Sequence, residues 1–154
     1  YFRSESIRNA VYYLISLFVV NRADGVRVVS EIIKKDIKDV PVSVLPIFVD
    51  VQNIKAEEPK FNLREKHPDF ENIFLMASRL TKEKNISMVI LAMQKIVSSY
   101  PKSLLLIVGS GPEKEKIEDL IQNLGSENNV KIENWTNDLV SYYKGSDALI
   151  ISSD

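Results

Sequence analysis

Apolar residues recur along this chain with two distinct periods. Ile7, Val11, Leu14, Ile15, Phe18 and Val19 fall on one helical face, and Ile86, Val89, Ile90, Met93, Ile96 and Val97 form a second such stripe. Ile117, Leu120, Ile121 and Leu124 form a third, which Pro112 can open as first helical residue and Gly125 can close. Between them lie short apolar runs bounded by turn residues: Val26 to Val29, Val42 to Leu45, Ile73 to Ala77, Leu104 to Val108, Val130 to Asn134 and Ala148 to Ile151. Glu31 to Lys38 is also expected to be helical. Strands separated by helices of this length imply right-handed crossovers and a parallel sheet. The predicted class is α/β, a Rossmann-like parallel sheet with helices on both faces.

Three segments follow from this pattern. Residues 1–49 read as helix, strand, helix, strand, and 71–154 alternate strands with helices. Residues 50–70 are polar, carry Pro59 and Pro68, and read as an interdomain linker. His67 stands in that charged stretch and is expected to be solvent-exposed rather than a catalytic base. Glu57, Glu58, Asp69 and Glu71 are expected to form a solvated face. Tyr12, Tyr13, Tyr142 and Tyr143 occupy helical positions and are expected to pack.

Composition narrows the function classes. The chain has 154 residues, 45% of them hydrophobic, which is enough for a core. A formal net charge of -1 provides no global field for nucleic acid or an anionic membrane. The absence of cysteine excludes a disulfide scaffold and a thiolate nucleophile, and a single histidine argues against a structural zinc site, so no metal is expected. No cleavable signal-peptide pattern is read at its start. The apolar run from Ala10 to Val20, about 11 residues, falls short of the ~20 that cross a bilayer.

Candidate chemistry gathers after two of the strands. Ser78-Arg79-Leu80-Thr81-Lys82-Glu83-Lys84-Asn85 places Arg79 and Lys84 in a loop between a strand and a helix start. In open α/β sheets such loops face the ligand crevice, and cations beside a helix N-terminus suit a diphosphate. Gly109-Ser110-Gly111-Pro112 follows the next strand; its glycines either admit a ligand close to the backbone or merely make the turn.

The order of these elements resembles the C-terminal domain of GT-B glycosyltransferases, specifically the retaining family 4 (glycosyl transferases group 1). Arg79 and Lys84 keep the spacing of its G-R-x-x-x-x-K-G element, and Gly109, Gly111 and Pro112 match V-G-x-G-P. Val130 and Ile132 match V-x-F-x-G, while Tyr143 and Asp147 resemble Y-x-x-A-D, whose aspartate is read as structural. Ser78, Asn85 and Asn134 replace family glycines, and asparagine tolerates the left-handed conformation well. Earlier, Ala23-Asp24 to Ser30-Glu31 and Val44 to Asp50 resemble the segments that close the N-terminal domain.

The resemblance implies a function for each site. Arg79 and Lys84 would stabilise the departing nucleoside diphosphate, with Lys84 rather than Lys82 in the lysine role. Gly109, Gly111, Asn134 and Trp135 would lie against the donor nucleotide. Trp135 could stack on the base, although a partly buried packing role is the favoured reading. The donor would be a UDP-sugar or GDP-sugar, the acceptor a sugar, lipid or other group, with no cofactor, no metal and no nucleic acid. Residues 1–49 would end an acceptor domain and 71–154 begin the nucleotide-sugar domain. The chain is thus expected to be an internal piece of a cytoplasmic enzyme, the parent working at the inner face of the membrane through peripheral association. Ser153 would belong to P-S-x-x-E-G, leaving the E-x7-E glutamates beyond the end. The apolar faces of the first 49 residues then need the rest of that domain or a dimer partner, and the piece alone is expected to be inactive. A non-catalytic nucleotide-binding module completed by a partner chain is the alternative. A phosphate-sensing flavodoxin-like domain would need acidic strand ends such as Asp50 and Asp154, but the supporting pattern is missing.

Overall fold

The computed structural model describes residues 7–20 and 22–153, with the side chains of residues 7–9 not described. The Ile7 side chain and Asp154 therefore lie outside the described residues. The chain divides into two compact units, Tyr1–Val51 and Gln52–Asp154.

The first unit contains α1 (Ile7–Val20), β1 (Val26–Val28), α2 (Glu31–Lys35) and β2 (Val42–Val44). β1 and β2 pair in parallel, with Val26 opposite Val42 and Val28 opposite Val44. α2 stops at Lys35, three residues earlier than the pattern predicts. Its entry is fixed by Ser30, whose hydroxyl accepts the Ile33 N–H at 3.4 Å. Among the described residues of this unit only Val28 is buried. The α1 stripe is open to solvent, with Leu14 at 65% and Phe18 at 60% exposure. Tyr12 and Tyr13 are exposed too, so neither packs as expected.

The second unit is a four-stranded parallel sheet. It comprises β3 (Asn72–Ala77), β4 (Ser103–Val108), β5 (Val130–Glu133) and β6 (Ala148–Leu149), in the spatial order β5-β4-β3-β6. β4 lies in register between its neighbours, Ala77 opposite Val108 and Val108 opposite Glu133. The helices of this unit are α3, which begins at the unit boundary (Val51–Ala56), α4 (Leu63–Lys66), α5 (Ile86–Ser99), α6 (Lys114–Asn123) and α7 (Leu139–Gly145). Every residue of β4 is buried, as a strand covered on both faces requires. Its alternation sorts the core into two layers. Leu105 and Ile107 join Val89, Ile90 and Met93 of α5 and Ile117 and Ile121 of α6. Leu104, Leu106 and Val108 join Leu63 and Tyr142 on the opposite face, with Phe61 and Phe70 against them.

That second layer corrects the linker reading. Leu63 is 1% exposed and His67 6% exposed, so residues 52–70 belong to the second unit. Their charges disguised the role, because each basic residue of α4 has a partner on the sheet side. Arg64 donates to Asp147, and Lys66 donates to both oxygens of Glu133 at 2.7 and 2.6 Å. Asp147 also accepts the Ile73 N–H at 2.7 Å, a structural tie. At the start of α6 the N-cap is Glu113, so Pro112 sits in the turn ahead of the helix rather than at its first position. At its end Gly125 takes φ +59, the left-handed conformation of a helix stop.

Candidate functional site

In a parallel sheet all strands leave by the same edge, so the loops after β5, β4, β3 and β6 stand side by side. The sheet order reverses direction between β3 and β6. In open α/β sheets the carboxyl edge at such a reversal is the usual ligand position. The loop after β3 carries Arg79 and Lys84; residues 150–153 leave β6 beside it.

Lys84 is held at this reversal. It ends a 3-10 turn (Lys82–Lys84) whose next residue, Asn85, adopts φ 49 and ψ 39 before α5 begins at Ile86. Asparagine at the family glycine position is thus used for the conformation glycine would supply. The Lys84 ammonium donates to the Ser153 hydroxyl at 3.1 Å, and the Lys84 carbonyl accepts from the Ser152 hydroxyl at 2.7 Å. Lys82, on the same turn, is exposed. The α5 N-terminus opens beside them, where first-turn amides lack helical acceptors.

Arg79 is disposed differently. Its side chain is 78% exposed and, among the described residues, pairs with Glu83 alone, at 3.9 Å. The Glu83 carboxyl is held below its ordinary value, first by its own backbone amide and also by the charges of Arg79 and Lys84. One cation is therefore tied to the β6 exit and the other stands exposed beside Glu83.

Gly109 and Gly111 have a role that sequence reasoning missed. They lie against the β3 loop and let two loop backbones touch. A Cβ on Gly109 would stand 2.0 Å from the Ser78 carbonyl oxygen, and one on Gly111 would stand 2.4 Å from that of Leu80. The contact is closed by backbone hydrogen bonds: Leu80 N–H to Ser110 O at 2.9 Å and Glu113 N–H to Leu80 O at 3.0 Å. The Gly109 N–H also reaches the Glu133 carbonyl at 2.9 Å, linking the β5 exit into the same assembly.

Asn134 and Trp135 follow β5 at this edge, both exposed. Asn134 accepts from the Lys114 ammonium at 3.1 Å. Trp135 is 50% exposed, so half of its surface is available beside Asn134. Of the paired tyrosines near the end, Tyr142 is buried at 5% while Tyr143 is 42% exposed. The six candidate residues thus share one edge of the sheet, distributed over three of its four exit loops.

Behind the edge lies a polar cluster that the sequence did not reveal. Glu133 accepts from Lys66 and, at 2.6 Å, from the Tyr142 hydroxyl, with His67 Nε2 at 3.6 Å from its other oxygen. Burial alone would raise the Glu133 carboxyl, but the hydrogen bonds from Lys66 and Tyr142 and the positive charge around it hold it below its ordinary value. Burial, then Lys131 and Lys66, push His67 down against the pull of Glu133, which favours its neutral form. Tyr142 is raised, first by burial and then by its bond to Glu133.

A family model described as Glycosyl transferases group 1 matches residues 57–154. Alpha-monoglucosyldiacylglycerol synthase of Streptococcus pneumoniae is 29% identical over 155 residues, 93% of this chain and 35% of that protein. WaaG, a glycosyltransferase involved in lipopolysaccharide biosynthesis, superposes with a TM-score of 0.78 at 18% identity, over 96% of this chain and 44% of that one. A mutant of S. aureus TarM, solved with Fondaparinux, alpha-GlcNAc-glycerol and UDP, superposes with a TM-score of 0.75 at 21% identity, over 99% and 30%. The chain spans 35% or less of the length of the curated relatives it matches. The sheet and helices of its second unit are those of the Rossmann-like C-terminal domain of GT-B proteins.

Proposed function

The chain belongs to the glycosyl transferases group 1 family, and from that premise we propose that it supplies the donor side of a retaining glycosyltransferase using a UDP-sugar. The observation that carries this reading is Lys84, held by Ser152 and Ser153 at the point where the sheet order reverses. As the glycosidic bond breaks, negative charge grows on the departing diphosphate. A cation already in place there stabilises the transition state without reorganising. Lys84 fills that description; exposed Arg79 closes on the diphosphate once it arrives. Both act as side-chain cations, with no metal required in the reading. Gly109 and Gly111 keep the two phosphate-side loops together, and Asn134 with Trp135 would border the nucleotide base. The UDP in the TarM complex supports uridine as the base.

Residues 1–49 are read as the end of an acceptor-binding domain. Among the described residues no helix is long and apolar enough to cross a membrane.

Calorimetric titration of this chain with UDP and with uridine tests the reading. A charge-assisted hydrogen bond is worth roughly 1.5–3 kcal/mol, so UDP should bind at least tenfold more tightly than uridine. Lys84→Ala should erase most of that difference and Lys82→Ala little of it. Equal affinity for UDP and uridine contradicts the assignment.

A further inference from the structure

Glu133 is the last residue of β5, and the chain runs from it directly into Asn134 and Trp135. Its backbone carbonyl holds the Gly109 amide at 2.9 Å. Its side chain is gripped from two helices of the opposite layer: Lys66 from α4 on both oxygens and Tyr142 from α7 on one. His67, next to Lys66 in the chain, stands 3.6 Å away with its Nε2 buried and without a hydrogen-bond partner. The Tyr142 ring is itself fixed edge-on to Phe61, 5.2 Å between centroids.

This arrangement is costly for an element that needs only to pack. The Glu133 side chain is 21% exposed, and an apolar residue on this face would extend the layer of Leu104, Leu106 and Val108 without desolvating a carboxylate. What the carboxylate adds is an anchor: its hydrogen bonds tie the last residue of β5 to α4 and α7, where the chain leaves the strand. The residue so fixed lies between the Gly109 turn and the Asn134–Trp135 loop.

We propose that Glu133 is a positioning residue, whose grip by Lys66 and Tyr142 sets the Asn134–Trp135 loop in the orientation that receives the donor base. The base-binding part of this proposal rests on the donor-side reading; the ordering of the loop does not.

Trp135 is the single tryptophan of the chain, so its fluorescence reports the loop without labelling. Three variants loosen the grip in different ways: Glu133→Gln keeps the shape of the acceptor, Tyr142→Phe keeps the ring, and Lys66→Met removes the ammonium from both carboxylate oxygens while keeping an unbranched side chain. Each is first checked for intact fold by far-ultraviolet circular dichroism, and Trp135 anisotropy and acrylamide quenching are then measured without ligand. The expected result is lower anisotropy and stronger quenching in every variant that folds. Uridine and UDP affinities should fall together by about three- to tenfold, the scale of re-ordering a loop on binding. Lys84→Ala, by contrast, should weaken UDP alone. Unchanged Trp135 anisotropy and quenching in folded variants, with only the unfolding midpoint lowered, would overturn the proposal and leave Glu133 a purely structural residue. If the wild-type chain binds neither uridine nor UDP, the donor reading fails while the fluorescence still decides whether Glu133 sets the loop.

Discussion

A methyl group on Gly109 would meet the Ser78 carbonyl oxygen at 2.0 Å, a distance that only separation of the two loops can relieve. Gly109→Ala and Gly111→Ala should each cost about 1–3 kcal/mol in urea unfolding, as overpacking does, and should also weaken UDP binding by displacing the Lys84 turn. Gly125→Ala is a control of another kind, since among the described residues none but its chain neighbours would lie within 4 Å of the added Cβ and only the left-handed backbone is strained; about 1–2 kcal/mol is expected, with UDP binding unchanged. His67 gives a pH signature. Its folded value lies below its ordinary 6.5, so near that pH the unfolded chain binds the extra proton and stability rises with pH. Its contribution is complete above 6.5 and is lost as pH falls through the folded value; the Glu133 contribution is lost only below 4.5. Urea midpoints measured from pH 7.5 to 5 should fall, and His67→Gln should flatten that decline. Single-residue roles were the least legible part of the sequence. Motif spacing located Gly109 and Gly111, but their reason lies in a loop about thirty residues away, visible only once two exit loops are brought together. His67 read as exposed because its neighbours are charged, whereas those neighbours spend their charge on Glu133 and Asp147.

At the level of elements, hydrophobic period identified every strand of the main sheet and the long helices α5 and α6. The helix of greatest consequence that it missed is α4, four residues long and three of them charged. Such a segment has no measurable periodicity, and its one apolar residue, Leu63, is the anchor of the second core layer. Leu63→Ala should therefore destabilise the chain by about 2–5 kcal/mol, the usual cost of emptying a buried leucine site, whereas truncating a leucine in a true linker would cost nothing measurable. Thermal or urea unfolding separates these outcomes. Helix ends were also misjudged where local chemistry outweighed pattern. Pro112 looked like a first helical residue, but the turn that brings Gly111 against Leu80 must finish before α6 can begin. α2 stopped early for a related reason, giving way to Asp39 at φ 65 before β2.

For the molecule as a whole, sheet order matters more than any single loop. The order β5-β4-β3-β6 puts the Arg79–Lys84 loop at the reversal, with the Gly109 turn and the Asn134–Trp135 loop in sequence away from it. The alternation of strands and helices predicted a parallel sheet and its common exit edge, because connection length leaves few other arrangements. It could not show that the exit loops would brace one another, nor that Ser152 and Ser153 would hold Lys84. Residues sixty-eight and sixty-nine positions apart announce no pairing in sequence. On the proposed function, this edge receives a nucleoside diphosphate. Amide chemical-shift mapping of the chain during UDP titration tests it most directly. Shifts should concentrate at residues 78–86, 109–112 and 134–135, with uridine reproducing only those of the last group. Shifts scattered over other surfaces, or none at millimolar UDP, would contradict the claim.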